Sequence, residues 1–435
     1  MTCAQLPKLA HDQKPLRSLF LDLNAYFASV EQAEEPSLRG KPIAVCPVMA
    51  DTSFIIAASY EAKKFGIKTG TQIGEAKRMC PDLICVPGRH SLYTHYHNKV
   101  VEAVDSVVPV EQVCSIDEMR AELIGKEREP DEARRIAGRI KEALADRVSP
   151  WIKASIGVAP NPFLAKLATD LMKPDGLVVI EGHELPDRLR GLKLREFCGI
   201  NFRTEARLQA AGIFVSDHLL DASIEDLTRA FRSRVVAERW FYMLRGHEVE
   251  LNLKHNQSLG HSHVLPPELR TDHGTRDVLL RLIQKAAARL RSSGLWTSSL
   301  TLHVRGKPSW TATQRCAPTQ DSITLSKAAM ELWEKRCFDR PLMAGITFHD
   351  LKEAEQVTPS LFEDTVYLSK LSHGVDKMNR KYGKNSVHVA SVHSVKDAAP
   401  ERIAFQKTEL FSEGKGDNEW VPLPEQQRPA IFRMG

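Results

Sequence analysis

The sequence predicts a multi-domain α/β protein. Over residues 16–180, short apolar runs typical of buried strands alternate with helical patterns. From Leu185 to about Gly246 the strand-like runs disappear and short helical patterns follow one another. A second alternation of strands and helices covers residues 260–349. At 435 residues the chain is too long for one hydrophobic core, so about three or four units are expected.

The first α/β region contains seven strand candidates and six helix candidates. The strands are short apolar runs, predicted at Leu16–Leu23, Pro42–Cys46, Phe54–Ala58, Leu83–Val86, Val113–Ile116, Ile152–Val158 and Gly176–Ile180. The helices show apolar residues three and four apart and are predicted at Ala25–Ala33, Tyr60–Phe65, Ile73–Met79, Ser91–Val107, Asp131–Val148 and Pro162–Leu171.

The helical region contains a candidate nucleic-acid contact. Residues Phe197–Thr204 include Gly199 and lead into a predicted helix at Glu205–Ala211. This pattern is typical of a helix-hairpin-helix, whose turn offers backbone N–H groups to a phosphate. Taken in isolation, such a short turn is more often an ordinary corner between two helices.

A polar linker is expected at His247–Gln257, followed by a compact α/β unit. Its predicted elements are strand Gly260–Val264, helix Asp272–Ser293, strands Thr297–Arg305 and Trp310–Arg315, helix Ser322–Arg336 and strand Leu342–His349. Arg281, Lys285 and Arg289 are four residues apart and therefore share one helix face. Such a stripe is normally solvated surface, but it also suits a duplex backbone. Residues 355–435 are expected to hold one helix at Val366–Tyr382 and a disordered end.

The composition bounds the class of protein. An apolar fraction of 42% supports packed globular domains, and a net charge of +5 permits a polyanionic partner without requiring one. No apolar stretch is long enough to span a bilayer, and the first residues lack the apolar segment of a secretion signal. The eight cysteines form no Cys-x-x-Cys pair, which argues against a zinc site or a disulfide framework. We therefore expect a cytoplasmic protein with reduced thiols.

Three carboxylates in two short segments are the strongest functional signal. Asp22 follows the apolar run of the first strand, and Asp117 and Glu118 follow another such run. Buried carboxylates are costly unless they are paired or bind a metal. Two strand ends that bring three acids together can hold two divalent cations, as in phosphoryl-transfer enzymes. An ordinary turn or cap role is the alternative for each acid, as for Asp131-Glu132 at a predicted helix start.

Asp117 and Glu118 are adjacent, and adjacent residues on a regular strand point to opposite faces of the sheet. They can share a metal site only near a bend or a hairpin. Residues 107–113 are compatible with such a hairpin. We therefore expect a turn close to these two acids.

Taken together, the segments resemble the Y-family (translesion) DNA polymerases and are most similar to the DNA polymerase IV branch. The matching motifs agree in order and spacing and lie at Asp22–Glu31, Ser59–Ile67, Ser115–Glu118, Ser155–Val158 running to Lys166, and Met172–Gly176. The resemblance covers roughly residues 16–350. It implies a right-hand polymerase with palm (1–34 and 89–182), small fingers (35–88), helical thumb (183–247), linker (248–257) and α/β little finger (258–352), followed by a partly disordered tail (353–435).

The resemblance also implies the metal ligands. Asp22 and Asp117 would bridge two Mg²⁺ ions, the carbonyl of Leu23 would add an oxygen, and Glu118 would bind the ion that activates the primer 3′-hydroxyl. Mn²⁺ is expected to substitute. Hard oxygen ligands and substrate phosphates suit Mg²⁺.

The nucleotide-binding residues implied by the resemblance are Tyr60, Lys63 and Lys173 for the triphosphate and Phe27 for the sugar. Position 63 is more often Arg in the family, and lysine keeps the charge but loses the planar bidentate fork. Phe27 matches the steric gate, a ring that excludes a ribose 2′-hydroxyl. Each residue also has an ordinary structural alternative. Tyr60 could be an aromatic at a helix start and Lys63 a surface lysine. Lys173 could be a charge near a helix C-terminus, and Phe27 a core aromatic.

DNA contacts are expected from Gly199, Asn201 and Arg203 of the hairpin and from Arg281, Lys285 and Arg289. Asn201 replaces the second glycine of the usual hairpin turn, and Asn tolerates a left-handed backbone. Ser360, Leu361 and Phe362 resemble the end of the short motif that docks polymerases into a sliding clamp. A loop with two exposed apolar residues is the alternative there.

The expected function is template-directed addition of deoxynucleotides to a primer 3′ end by two-metal phosphoryl transfer, with low-fidelity lesion bypass in DNA repair. The expected partners are primer-template DNA, deoxynucleoside triphosphates and a sliding clamp, with no membrane. We expect a nucleoid-associated monomer. Two alternatives remain open: a non-catalytic DNA-binding scaffold of a mutasome, and a nucleotidyl cyclase with a palm-like sheet.

Overall fold

The computed structural model describes residues 14–249, 258–357, 365–383 and 385–398. The chain divides into two compact units, whose described residues are 14–249 and 258–398 with the gaps just given. Among the described residues, the structure contains no helix that is both long and apolar enough to cross a membrane.

The first unit contains eight strands and ten α-helices among its described residues. The strands are β1 Ser18–Leu23, β2 Ile43–Cys46, β3 Ala57–Ala58, β4 Ile84–Pro87, β5 Gln112–Val113, β6 Glu118–Glu122, β7 Ala154–Ala159 and β8 Leu177–Val179. The helices are α1 Tyr26–Glu34, α2 Tyr60–Lys63, α3 Ile73–Met79, α4 His90–Asp105, α5 Pro130–Arg147, α6 Pro162–Leu171, α7 Phe202–Ala210, α8 Ser216–Asp221, α9 Ile224–Phe231 and α10 Arg234–Met243.

Strand β1 is the centre of a five-stranded sheet with the order β5-β6-β1-β7-β8. Every residue of β1 is buried, because its two faces contact two different hydrophobic clusters. Leu19 and Leu21 belong to the cluster that includes α4 and α5, whereas Phe20 belongs to the cluster that includes α6 and the helices after residue 200. Alternation along the strand therefore directs Asp22 to the same face as Phe20.

A smaller sheet with the order β3-β2-β4 lies within residues 43–87, between two segments that contribute to the central sheet. Its strands bury Ala44, Cys46 and Ala58 in a cluster of their own together with α2 and α3. The predicted strand Phe54–Ala58 is shorter than expected, because only Ala57–Ala58 pairs with β2. Phe54 instead forms an isolated bridge with Gln72, and its side chain is exposed.

The predicted strand Val113–Ile116 was wrong in its boundaries. The structure has two short strands instead, β5 and β6, joined by a turn at residues 114–117. Strand β6 has no apolar run that would predict it, because Glu118–Glu122 carries three charged residues. Its buried residues, Met119 and Ala121, alternate with them. The expected hairpin next to Asp117 is confirmed.

The second unit is an antiparallel sheet covered by helices. Its described elements are β9 Ser258–Val264, α11 Asp272–Ser292, β10 Leu295–Arg305, β11 Trp310–Thr319, α12 Ser322–Trp333, β12 Met343–His349, β13 Lys352–Glu353 and α13 Thr365–Tyr382. The sheet order is β11-β10-β12-β9, with β13 pairing the start of β10. One core joins Leu300, Leu302 and Ile346 of the sheet to Leu279 and Ile283 of α11.

Residues beyond 352 also belong to this second unit. The predicted helix at Val366–Tyr382 is confirmed as α13, and a 3₁₀ segment follows at Ala390–Val395. Val392 and Val395 of that segment are buried in the core of the unit. Its folded part therefore continues past the expected domain end at 352, while residues 399–435 lie outside the described residues.

Candidate active site

The three predicted acids are brought together by backbone pairing. Strands β6 and β7 flank β1 on its two sides, both antiparallel, and Asp22 is the Cα partner of Glu118. Asp117 occupies the turn just before β6, and its carbonyl accepts the Leu23 N–H at 2.8 Å. Because Asp117 lies in a turn and not in a regular strand, its side chain does not have to face the opposite side of the sheet from that of Glu118. Both acids therefore lie next to the end of β1.

The carboxylate of Asp117 is held by its own turn. The Ser115 hydroxyl donates to Asp117 Oδ1 at 2.6 Å. Burial raises the pKa of Asp117 to about 6, the Ser115 hydrogen bond opposes that rise, and the negative charges of Asp22 and Glu118 add to it. The pKa of Asp117 therefore depends on the charges of the two other acids.

Two lysines neutralise this acidic cluster. Lys166 Nζ donates to Asp22 Oδ2 and lies 2.9 Å from Glu118 Oε1. Lys173 Nζ lies 2.8 Å from Asp22 Oδ2 and 2.7 Å from Asp170 Oδ1. Burial opposes the charged form of both lysines, but the neighbouring carboxylates outweigh it, so both pKa values are raised above the ordinary lysine value.

Lys166 and Asp170 are site residues that the sequence patterns did not predict. They lie on α6, which begins with Asn161 as its N-cap and Pro162 in its first turn. Helix α6 packs closely on β7 because Gly157 has no side chain: a Cβ there would lie 2.0 Å from the Ala165 carbonyl oxygen. The available sequence signal was the i, i+4 pairing of Lys166 with Asp170, which by itself is common on helix surfaces.

The residues present fit a divalent cation by their chemistry. Asp22, Asp117 and Glu118 offer hard carboxylate oxygens, a set that suits Mg²⁺ better than zinc or copper. Within the described part of the chain, no group of three or more His, Cys, Asp or Glu side chains is arranged as a metal site. The ammonium group of Lys166 contacts both Asp22 and Glu118.

Of the predicted triphosphate residues, Lys173 contacts Asp22, whereas Tyr60 and Lys63 lie on helix α2. Helix α2 begins at Tyr60 because the Ser59 hydroxyl accepts the Ala62 N–H. Lys63 Nζ lies 4.3 Å from the centroid of the Tyr60 ring. Burial lowers the pKa of Lys63, and the positive charge of Lys173 lowers it further. Tyr60 and Lys63 thus share the electrostatic environment of Lys173.

Phe27 is the second residue of α1 and is only 3% exposed. Its ring centroid is 4.6 Å from that of Tyr93. The Tyr93 hydroxyl donates to Glu31 Oε1 at 2.6 Å, and the same carboxylate receives the guanidinium of Arg89. Phe27 is therefore packed in the core, and its role toward a sugar stays a prediction.

The predicted hairpin after residue 197 differs from the expected geometry. Gly199 has φ +91°, which requires glycine-like freedom, but Asn201 has φ −87° and is not left-handed. Asn201 is instead the N-cap of α7, and its side-chain oxygen accepts the N–H groups of Arg203 and Thr204, each at 3.0 Å. The segment before it contains 3₁₀ turns at Asp187–Leu189 and Leu194–Glu196, so no α-helix forms the first half of a hairpin there.

The remaining predicted DNA-binding residues belong to the second unit. Arg281 donates to Asn385 Oδ1 at 2.5 Å, and Arg289 contacts His261 at 3.3 Å. Together with Lys285, they are partly buried and do not form a fully solvated stripe. The predicted clamp residues Ser360, Leu361 and Phe362 lie outside the described residues.

Comparison with known proteins identifies the family. The impB/mucB/samB family matches residues 21–170, and the impB/mucB/samB family C-terminal domain matches residues 256–361. DNA polymerase IV of Moorella thermoacetica is 30% identical over 383 residues, which cover 86% of this chain and 95% of that protein. The chain belongs to the Y-family DNA polymerases, in the DNA polymerase IV branch. This family consists of DNA-directed DNA polymerases that bind DNA, carry out translesion synthesis and depend on divalent metal ions.

Further Y-family relatives agree with this assignment. DNA polymerase IV of Bacillus velezensis is 28% identical over 91% of this chain and 97% of its own length. Among solved structures, the Y-family DNA polymerase chimera Dbh-Dpo4(243-245)-Dbh has a TM-score of 0.67 and 24% identity, covering 78% of this chain and 99% of its own. That likeness shows the fold, with palm, fingers, thumb and little finger.

Proposed function

We propose that this chain extends a DNA primer along a template by phosphoryl transfer and copies past damaged bases in DNA damage tolerance. The observation that carries the proposal is the convergence of Asp22, Asp117 and Glu118 at the end of β1, beside Lys173. Family membership supplies the reaction class, and the site supplies groups suited to it.

Asp22, Asp117 and Glu118 would hold two Mg²⁺ ions, with the Leu23 carbonyl as a further oxygen ligand and Mn²⁺ as a substitute. When bound, such ions make the primer 3′-hydroxyl a better nucleophile and stabilise charge on the leaving phosphates. The hairpin turn and the Ser115 hydroxyl hold the Asp117 carboxylate in place for this role. Lys166 balances the negative charge of the acids from the α6 side.

The incoming nucleotide would lie against three cationic or donor groups. Lys173 and Lys63 would neutralise the triphosphate, and the Tyr60 hydroxyl would donate to it. Because Lys63 is already partly desolvated, it has less hydration to lose when a phosphate approaches. Phe27 would select the deoxyribose by leaving no room for a 2′-hydroxyl.

Primer-template DNA would be held mainly through its phosphates, which position a duplex without specifying its sequence. Gly199, Asn201 and Arg203 of the first unit are the proposed thumb contacts, and Arg281, Lys285 and Arg289 are the proposed contacts of the little finger. Their contribution should weaken as salt concentration rises. We further propose a monomer at the nucleoid, with a sliding clamp docked at Ser360–Phe362.

The test is primer extension on undamaged and lesion-bearing templates with Mg²⁺ and four deoxynucleotides. The wild-type chain should extend both, and Asp117→Ala should lower the rate by about 10²–10³-fold, as for other groups that stabilise transition-state charge. Asp131→Ala is the matched control, because Asp131 is exposed at the surface of α5. DNA retention without synthesis would indicate the scaffold, and a cyclic nucleotide formed without DNA would indicate the cyclase.

A further inference from the structure

Lys173 lies in a tight connection between helix α6 and strand β8. The connection is the segment Met172–Gly176, which we call the Lys173 turn. Its two ends approach each other closely, since a Cβ at Gly176 would collide with the Met172 carbonyl group. Glycine is therefore required at the end of this turn.

The Lys173 turn contains a residue with a left-handed backbone. Asp175 has φ +54°, a conformation that residues other than glycine seldom adopt. Such a conformation persists where the surroundings hold it. The Asp175 N–H donates to Asn24 Oδ1 at 2.7 Å, and Asp175 Oδ1 lies 3.0 Å from Lys141 Nζ. The Asn24 side chain is thus one of the groups that hold the turn in shape.

Ser155 holds the two ends of the same turn. Its hydroxyl accepts the Gly176 N–H at 3.3 Å and Asn24 Nδ2 at 3.1 Å. Its single proton lies within reach of two acceptors, the Met172 carbonyl at 3.2 Å and Asn24 Oδ1 at 3.4 Å. One amide and one hydroxyl therefore bind three backbone groups of the Lys173 turn and also bind each other.

Both side chains are buried and start from the sheet that carries the acids. Asn24 is 3% exposed and Ser155 is 0% exposed. Ser155 on β7 is the Cα partner of Asp22 on β1, and Asn24 follows Asp22 by two residues. Buried amides and hydroxyls are costly unless they are hydrogen-bonded. The turn supplies the bonds that these two side chains need, so the sheet and the turn stabilise each other.

The Lys173 ammonium is bound to the same part of the sheet. Its Nζ lies 2.8 Å from Asp22 Oδ2 and 2.7 Å from Asp170 Oδ1. Lys173 is therefore connected to β1 and β7 in two ways. The ion pair with Asp22 holds its charge, and Asn24 and Ser155 hold its backbone.

We propose that Asn24 and Ser155 are positioning residues for the incoming nucleotide, and that they act through Lys173. The inference rests on the proposed function, because it requires Lys173 to bind the triphosphate. In this role neither residue contacts the nucleotide. They keep the Lys173 turn in one conformation, so that little ordering of the lysine has to occur when a phosphate binds.

The first experiment is amide hydrogen exchange of the full chain without DNA or nucleotide. Asn24→Ala and Ser155→Ala each remove an acceptor from the turn, so exchange of the peptide that contains Asp175 and Gly176 should accelerate about tenfold. Ser223→Ala is the matched control. It removes the serine N-cap of α9, which does not contact the turn, and should leave this peptide unchanged. Unchanged exchange in both turn variants would overturn the proposal.

The second experiment separates nucleotide affinity from rate. In single-turnover primer extension, Asn24→Ala and Ser155→Ala should each weaken deoxynucleotide binding by about 5- to 20-fold and keep the maximal rate within about twofold. The affinity for primer-template DNA should stay the same. A loss confined to the maximal rate would indicate an effect on the acids and would contradict the proposal.

The same experiment distinguishes failure of the inference from failure of the proposed function. Absence of extension by the wild type would refute both the polymerase activity and the nucleotide role of these residues. Extension by the wild type with unchanged nucleotide affinity in both variants would refute the positioning role alone.

The third experiment tests whether the effect passes through Lys173. In a Lys173→Met background no ammonium remains to be positioned, so adding Asn24→Ala should change nucleotide affinity by less than about twofold. In a Lys63→Met background the same addition should keep its full effect, because Lys63 lies on α2. A loss in the Lys173→Met background as large as in the wild type would contradict the proposal.

Urea unfolding of every variant identifies any general loss of the fold. If Asn24→Ala does not fold, Ser155→Ala, which removes a single hydroxyl, is used for all three measurements. Its nucleotide affinity should then fall in the wild-type background and not in the Lys173→Met background. Equal effects in the two backgrounds would show that Ser155 has a structural role only.

Discussion

The ammonium group of Lys173 lies 2.8 Å from Asp22, and it also contacts Asp170 at 2.7 Å. This places a positive charge at the edge of the proposed metal site, on the side of Tyr60 and Lys63. Lys173→Met should weaken deoxynucleotide binding by about 10- to 100-fold, since hydrogen bonds to charged groups are the stronger class. Single-turnover primer extension at varied nucleotide concentration measures the affinity for the deoxynucleotide. Lys153→Met, a half-exposed lysine 3.9 Å from Asp175, is the control and should change nothing.

Phe27→Val should raise ribonucleotide incorporation relative to deoxynucleotide incorporation by about tenfold or more, because the smaller side chain opens space beside the sugar. The change also creates a cavity under Tyr93 and should lower the free energy of unfolding by about 1–3 kcal/mol. Val30→Ala, buried on the same helix, should destabilise without altering sugar selectivity. Equal selectivity ratios in Phe27→Val and the wild type would show that Phe27 is a core residue only.

Gly157→Ala should destabilise the first unit by about 1–3 kcal/mol or more, because the new Cβ would collide with the Ala165 backbone. Any relaxation would move α6 and with it Lys166. Gly138→Ala is the opposite case: a Cβ there meets nothing within 4 Å on helix α5, so stability should rise by about 0.5–1 kcal/mol. Urea unfolding of both variants measures the difference, and similar midpoints would refute the proposed packing constraint.

Asp376→Ala should destabilise the second unit by about 3 kcal/mol, because it leaves the buried Arg291 without its carboxylate. Hydrogen exchange in α13 should increase at the same time. Glu331→Ala removes an exposed carboxylate that accepts Gln314 at 2.7 Å, and its effect should stay within about 0.5 kcal/mol. Thermal unfolding of the two variants measures whether the ion pair between Asp376 and Arg291 stabilises the packing of α13 on its unit.

Stability should fall as the pH is lowered below about 6.5, in part through His97. This histidine is buried, and its Nδ1 lies 2.8 Å from the Ile116 carbonyl oxygen. Burial lowers its pKa, against a smaller opposing effect of the Ile116 hydrogen bond. The unfolded chain then binds a proton more readily than the folded protein. The stability that His97 contributes is present when the pH is above the pKa of this group in the unfolded chain. It is lost as the pH falls toward the lower pKa of His97 in the folded protein.

Urea midpoints at pH 8, 6.5 and 5.5 measure this effect. His97→Gln should flatten the decline, whereas His183→Gln, an exposed histidine, should reproduce the wild-type curve. If the urea midpoint of His97→Gln decreased with falling pH as steeply as that of the wild type, His97 would be excluded as the titrating group.

The sequence predicted the parts of the active site that depend on local pattern. The apolar run before Asp22 and the hairpin beside Asp117 both follow from residues close in the chain, and both are present. The contacts of Lys166 could not be predicted in this way. They depend on the approach of α6 to β7, which the absence of a side chain at Gly157 permits.

Contacts between segments that are distant in the chain also explain why strand β6 and the partner of Arg291 were not predicted. Strand β6 carries three charges and no continuous apolar run, so its membership of the sheet follows from pairing with β1 across almost a hundred residues of chain. The partner of Arg291 on α11 is Asp376, which belongs to a helix 85 positions later in the chain. Long-range partners of this kind leave no periodic signal in either segment.

The antiparallel register that makes Asp22 the partner of Glu118 limits where the chain can accept insertions and deletions. A one-residue insertion or deletion inside β1 or β6 would invert the facing of every later side chain in that strand and carry one acid to the opposite side of the sheet. Length variation in relatives that remain active should therefore fall in the connecting loops and spare residues 18–23 and 117–122.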